Sequence, residues 1–305
     1  MDYLEILKKA FNITWKNKYL WILGFLVALV GGGNNFNSSF SNQSSSQEWA
    51  GAGKWLESYL IVILFIVLIL FVLWFIFWIL SIMAQGGLVG AANGIESGEE
   101  MGLGKAFAIG AHYFWRTLGI SILLGLVIFI MVMVFVVPMV VGIIMIAVQG
   151  KQAAAALVAS LICLIPAFLL LVFLLMIVGA VIGVIHNYAI RYAIILDKKV
   201  IESIKEAWGL IKDCKTETLI MFLLLLLTSS LYGMAMVIPG LIFGLPSIFM
   251  IIAGAAGKSV PLLAFGAFGI MVLVFVLAVF KGVYEVFHSS AWTLTFRELQ
   301  PPDNI

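Results

Sequence analysis

The sequence predicts an all-α integral membrane protein with six transmembrane helices in three pseudo-repeats, each led by a cytoplasmic amphipathic interfacial helix. Three observations predict it. Hydrophobic residues make up 64% of the 305 and charged residues only 10%, whereas a globular chain is about half apolar and a quarter charged. Six long apolar runs, each near the length that crosses a ~30 Å hydrocarbon layer, alternate with short polar stretches. Lys198–Leu227 sets a helix-period segment directly before one of those runs, and weaker copies of this arrangement recur at a spacing of about 100 residues.

The first repeat covers 1–98. Asp2-x-x-Glu5 reads as a capping box that opens a short helix. Tyr19–Gly33 is the first span, and fifteen helical residues reach only about 22 Å. The segment before it is long and carries Asp2 and Glu5, which argues against a cleaved signal. Residues 34–52 are rich in Ser, Asn, Gln and Gly and read as a flexible outer loop. Leu60–Leu80 is the second span. Trp49, Trp55 and Tyr59 before it, with Trp74 and Trp78 near its far end, read as two aromatic belts.

The second repeat covers 99–197. Ser97-Gly-Glu-Glu100 reads as a capping box for the second surface helix, which contains Met101–Phe107. Leu118–Val137 spans next and ends at Pro138, with apolar sequence running on to Val148 as the continuation of a kinked helix at the outer surface. Lys151 marks a turn. Ala153–Ile185 is the fourth span, with a kink expected at Pro166.

The third repeat covers 198–305 and shows the pattern most clearly. With Asp197 as N-cap, Val200, Ile201, Ile204, Ala207, Trp208 and Ile211 share one helix face, and Glu202, Lys205, Glu206 and Lys212 occupy the other. Leu4–Phe11 aligns with Ile201–Trp208. In each copy an Ala-aromatic pair precedes a basic or aromatic patch: Trp15–Lys18, His112–Arg116 and Lys212–Lys215. Leu219–Ile238 spans and ends at Pro239. Apolar Leu241–Ala256 lies outside, as a re-entrant or an interfacial segment. Lys258 marks a turn, and Leu262–Phe280 is the sixth span, followed by a cytoplasmic tail through Arg297.

Six spans place both termini on one side. Of the 17 Lys and Arg, all but Lys54, Lys151 and Lys258 then fall on that side. The positive-inside rule makes it the cytoplasmic face of the inner membrane.

The chain carries no phosphate-binding loop, zinc spacing or nucleophile elbow, so no catalytic residue, metal or cofactor is expected. A net charge of +2 is too small to argue for nucleic acid. Cys163 lies in an apolar run and Cys214 beside a surface helix, so no disulfide is expected. The expected span centres hold no ionisable residue, which argues against ion-coupled transport. Gln85, His186, Asn187, Arg191, Lys281, Glu285 and His288 gather toward the inner ends of the return helices. They form either an inner mouth for a lipid headgroup or other anion, or snorkelling side chains and a local ion pair. Thr228, Ser229, Ser230 and Tyr232 form a mid-membrane polar cluster, read as interhelical hydrogen bonding or as the lining of a path. Gly86-x-x-x-Gly90 and Gly179-x-x-x-Gly183 predict close helix contacts.

Ala10–Trp21, Gln85-Gly-Gly-Leu88 and Arg191–Asp197 followed by Ile204–Trp208 resemble a broad group of six-span prokaryotic membrane proteins. That group includes the membrane domain attached to some glycerophosphoryl diester phosphodiesterases. The resemblance implies the six-span fold. No phosphodiesterase domain is present in this chain, so it does not imply that activity. The leading expectation is a non-enzymatic protein that handles membrane lipids or assists membrane-associated assembly. A passive transporter or channel is the alternative. An intramembrane enzyme ranks third, since no acid/base pair is visible.

Overall fold

The computed structural model describes residues 1–31, 49–148, 154–257 and 259–300. Most of the expected outer loop, Lys151 and Lys258 lie outside them. Among the described residues the chain is helical throughout, in the order α1 (Tyr3–Lys16), α2 (Leu20–Gly31), α3 (Trp49–Glu96), α4 (Leu103–His112), α5 (Phe114–Val148), α6 (Ala154–Ile195), α7 (Val200–Asp213), α8 (Lys215–Pro239), a π-helical turn (Gly240–Gly244), α9 (Leu245–Ala256) and α10 (Val260–Leu299). Five helices are long and apolar enough to cross a membrane; α1 and α2, bent by 102°, make a sixth if they count as one span. The protein is an all-α integral membrane protein.

The helices are longer than the sequence predicts because the expected stops do not stop them. α5 runs on to Val148 through Pro138. α3 is one helix of 48 residues rather than a span from Leu60. Pro239 ends α8, yet the π turn carries the chain straight into α9, so Leu241–Ala256 follows on as helix with no loop before it. A proline removes one N–H and crowds the preceding turn; the turn before Pro246 of α9 is this wider π turn, which accommodates both. The expected tail after Phe280 is also helical, to Leu299. Lys281, Glu285 and His288 therefore sit inside a 40-residue helix and not near its end.

Two expected helix starts are helix ends. Glu99 N–H donates to Gly94 O at 2.9 Å and Gly98 N–H to Ile95 O at 3.1 Å, with Gly98 at φ +80°. These two bonds close α3 around a left-handed glycine. Ser97 Oγ donates back to Asn93 O, and the N-cap of α4 is Gly102, without a side-chain cap. Asp197 likewise has φ +52° beyond the end of α6, its carboxylate 2.6 Å from Arg116 Nη1, while Lys199 is the N-cap of α7. Asp2 does cap α1, accepting from the N–H of Leu4 and Glu5 at 3.1 Å. Glu5, the other half of the expected box, lies 3.5 Å from Lys9.

The contacts divide the chain into two compact units, 1–114 with 223–295, and 115–222 with 296–305. In the first, α4 lies on α3 where a Cβ on Gly110 would stand 1.8 Å from Met83 O, and one on Gly87 2.6 Å from Ala106 O. The expected Gly86/Gly90 pair thus becomes a stripe of Gly87, Gly90 and Gly94 against α4 and the Met101 before it. α2 meets α10 at Gly24 and Gly282. In the second unit the expected Gly179/Gly183 contact is not formed among the described residues, where both positions face open space. There α7 packs along α6, and Val200 sits over Gly119 of α5.

Burial follows chain direction. Among the described residues it is concentrated at the C-terminal ends of α3, α6 and α10 and at the N-terminal ends of α5 and α8. Each of these ends adjoins a short helix or, for α10, the C-terminus.

Candidate functional site

In the second unit, a cavity of about 410 Å³ lies where α6, the end of α7 and the start of α8 meet. Its walls are apolar because of helical register. Ala180, Val181 and Val184 share one face of α6, while Leu219 and Phe222 share one face of α8. Ile211 of α7 and the residues Lys215 and Thr218 of α8 also line it. Lys215 is exposed and Thr218 is buried, with its Oγ1 3.4 Å from Tyr188 OH. The volume is typical of a small-molecule site. Cys214, between α7 and α8, keeps its proton more firmly than a free thiol: burial pushes its pKa up, and Glu217 and Asp213 add to the shift.

The same unit holds a polar chain that includes three of the residues predicted for an inner mouth. His186 Nε2 is 3.1 Å from Ser121 Oγ, which donates to Thr117 O at 2.9 Å. Asn187 Nδ2 donates to Gly183 O, and buried Arg191 donates through Nη1 to Asn187 O. Tyr188 and Tyr192 pack against Phe296, and Gln300 Nε2 donates to Tyr192 OH at 2.5 Å. These bonds satisfy polar groups within and between helices, as a low-dielectric interior requires.

The other predicted residues lie in the first unit. Gln85 is half-buried on α3, with no side-chain partner among the described residues. On α10, Lys281 acts on the half-buried Glu285 one turn away without a direct ion pair among the described residues. His288 Nε2 accepts from Trp292 Nε1 at 3.1 Å. The expected mid-membrane cluster joins this group. Tyr232 stacks on Tyr284 at 4.6 Å, near the hydroxyls of Thr228 and Ser229. Ser230 is exposed, and its side chain makes no hydrogen bond among the described residues.

Sequence reasoning missed Tyr284 and Trp292. They lie one turn to either side of His288, and no breaker follows Gly282 before Pro301, so extending the helix would have found them. It also missed Ser121 and the cavity, which only tertiary packing creates. Among the described residues no three His, Cys, Asp or Glu converge as a metal site would require.

No family model matches the chain, and neither a curated protein nor a solved structure shows significant similarity to it.

Proposed function

We propose that the protein is a non-enzymatic, multi-pass protein of the inner membrane that handles lipids, with both termini and its three short helices on the cytoplasmic side. The observation that carries this reading is the placement of α1. It turns 102° away from α2 and leaves Leu4, Phe11 and Trp15 outward, 74%, 58% and 57% exposed, while Ile6, Ala10 and Ile13 face the protein. A helix apolar on two sides and flanked by exposed Lys8, Lys9 and Lys16 suits the headgroup boundary, where apolar side chains enter and ammonium groups stay wet. α7 repeats the design: Ile201 and Trp208 are exposed, and Lys212 Nζ lies 5.1 Å above the Trp208 ring. The Lys and Arg distribution supports the orientation.

Spin labels at Phe11→Cys and Lys8→Cys test the placement in a Cys163→Ser, Cys214→Ser background in liposomes. Phe11→Cys is expected to be more accessible to oxygen than to a water-soluble nickel chelate, and Lys8→Cys the reverse. Equal access to the chelate at both sites overturns the reading. An impermeant maleimide tests orientation. Lys205→Cys and Lys151→Cys are expected to label from opposite compartments; labelling from the same one overturns it.

A further inference from the structure

The cavity between α6, α7 and α8 is lined by aliphatic and aromatic side chains and, on the first turn of α8, by Lys215 and Thr218. We propose that it seats an acyl chain of an anionic phospholipid whose headgroup is held by Lys215. This inference rests on the lipid-handling reading and gives it a site.

The chain alone supplies no selectivity. An acyl chain that moves from the bilayer into an apolar groove leaves one hydrocarbon surrounding for another, so burial contributes little preference. Discrimination falls to the polar lining. Two of the lysines are already held by carboxylates: Lys9 by Glu5 and Glu96, and Lys198 by Glu202 and Glu206, and among the rest it is Lys215 that lines this cavity. Lys215 forms no ion pair among the described residues, although Asp213 and Glu217 flank it in the sequence. An exposed, unengaged ammonium lining an apolar cavity complements a phosphodiester attached to an acyl chain. A zwitterionic lipid brings its own cation to the same place and gains less. Thr218 and Ile211 also line the cavity, the Thr218 hydroxyl lying 3.4 Å from Tyr188 OH.

The test is native mass spectrometry of the full chain after equilibration in nanodiscs of equimolar phosphatidylglycerol and phosphatidylcholine. The wild type is expected to retain phosphatidylglycerol about fivefold over phosphatidylcholine, the factor one surface lysine supplies toward anionic lipid. Lys215→Gln is expected to bring the ratio close to one. Val181→Trp, which fills the groove, is expected to reduce retention of both lipids. Lys105→Gln, in the other unit, leaves both readouts unchanged. Soluble glycerol phosphate in excess is expected to displace nothing, since it has no chain.

A preference that survives Lys215→Gln, or is lost equally in Lys105→Gln, overturns this site while the lipid-handling reading stands. Displacement by glycerol phosphate overturns the role of the acyl chain. Failure of the wild type to retain either lipid overturns the lipid-handling reading as well. Because Val181→Trp risks misfolding, Ala180→Leu provides a milder filling of the same groove and is expected to give a smaller loss in the same direction.

Discussion

The two halves of α3 are one continuous helix in two different surroundings. From Ile61 to Phe77 every described side chain is exposed, and nearly all are Leu, Ile, Val, Phe or Trp. From Ser81 to Ala92 most are buried, and many are small: Ala84, Gly86, Gly87, Gly90, Ala91, Ala92. In water the large apolar residues would form the core. Here they face outward, and small residues make the protein contacts. The reason is the solvent. Lipid tails solvate Leu and Phe as well as another helix does, so large side chains gain nothing by association. Close backbone approach gains dispersion and weak polar contacts that lipid cannot offer, and only small residues permit it.

The largest expected effect breaks the packed half directly. Gly110→Leu would place a side chain against Met83 O, where even a Cβ comes within 1.8 Å. Neither backbone can give way without parting α3 from α4, so the cost is expected to reach about 3 kcal/mol or more. A fall in melting temperature in detergent, with loss of a monodisperse gel-filtration peak, would show it.

A leucine pair on the same helix sharpens the comparison. Leu88, 3% exposed, is expected to cost about 2–3 kcal/mol as Leu88→Ala. Leu68, 56% exposed, is expected to cost under ~0.5 kcal/mol as Leu68→Ala. Equal costs would mean that the outer half is covered by protein, such as a second copy of the chain.

The contrast also explains what the sequence made legible. Mean hydropathy reports contact with lipid, so the apolar runs were located well. It says nothing about where a helix stops once it leaves the lipid. Ser81–Glu96 and Lys281–Leu299 continue as helix in the packed region, beyond the expected spans that end at Leu80 and Phe280. Ser97 and Asp197 carry the side chains of N-caps, but each follows a long helix and serves to end it. Residue type favours a cap; backbone conformation decides which helix it belongs to. Residues of the candidate site were visible singly, as polar or ionisable groups in apolar surroundings. Their grouping was not. Tyr232 meets Tyr284, and His186 meets Ser121, through helix packing that no local pattern records. The cavity at Lys215 was hidden for the same reason, although the patch Lys212–Lys215 had marked the place.

Asp197 offers an intermediate effect. Its φ of +52° is tolerated by Asp, Asn and Gly but not by a β-branched residue. Asp197→Asn keeps that backbone and removes the charge paired with Arg116, whose side chain is 32% exposed, so about 0.5–1 kcal/mol is expected. Asp197→Val adds backbone strain to the same loss and is expected to cost about 1 kcal/mol more. Thermal melts of both variants beside the wild type would separate the two contributions; equal costs would assign the whole effect to the charge.

The smallest effect belongs to the polar rim of the packed end, where Lys9 bridges α1 to the last turn of α3 through Glu96 at 3.4 Å. Glu96, and Glu5 more weakly, hold the Lys9 pKa above its ordinary value of 10.5. A raised lysine pKa in the fold means that its contribution is complete below 10.5 and is lost as pH rises through the folded value. Glu96→Gln is therefore expected to cost a constant ~0.5 kcal/mol at neutral and mildly alkaline pH, since both side chains remain partly exposed to solvent. The difference from wild type should vanish once Lys9 is neutral, and it should shrink with added salt at neutral pH because the pair is within reach of screening. Melts of the two proteins across alkaline pH and at two ionic strengths would measure it. A difference that persists with Lys9 uncharged would mean that Glu96 holds α1 by packing rather than by charge, and would extend the small-residue packing of α3 to its last turn.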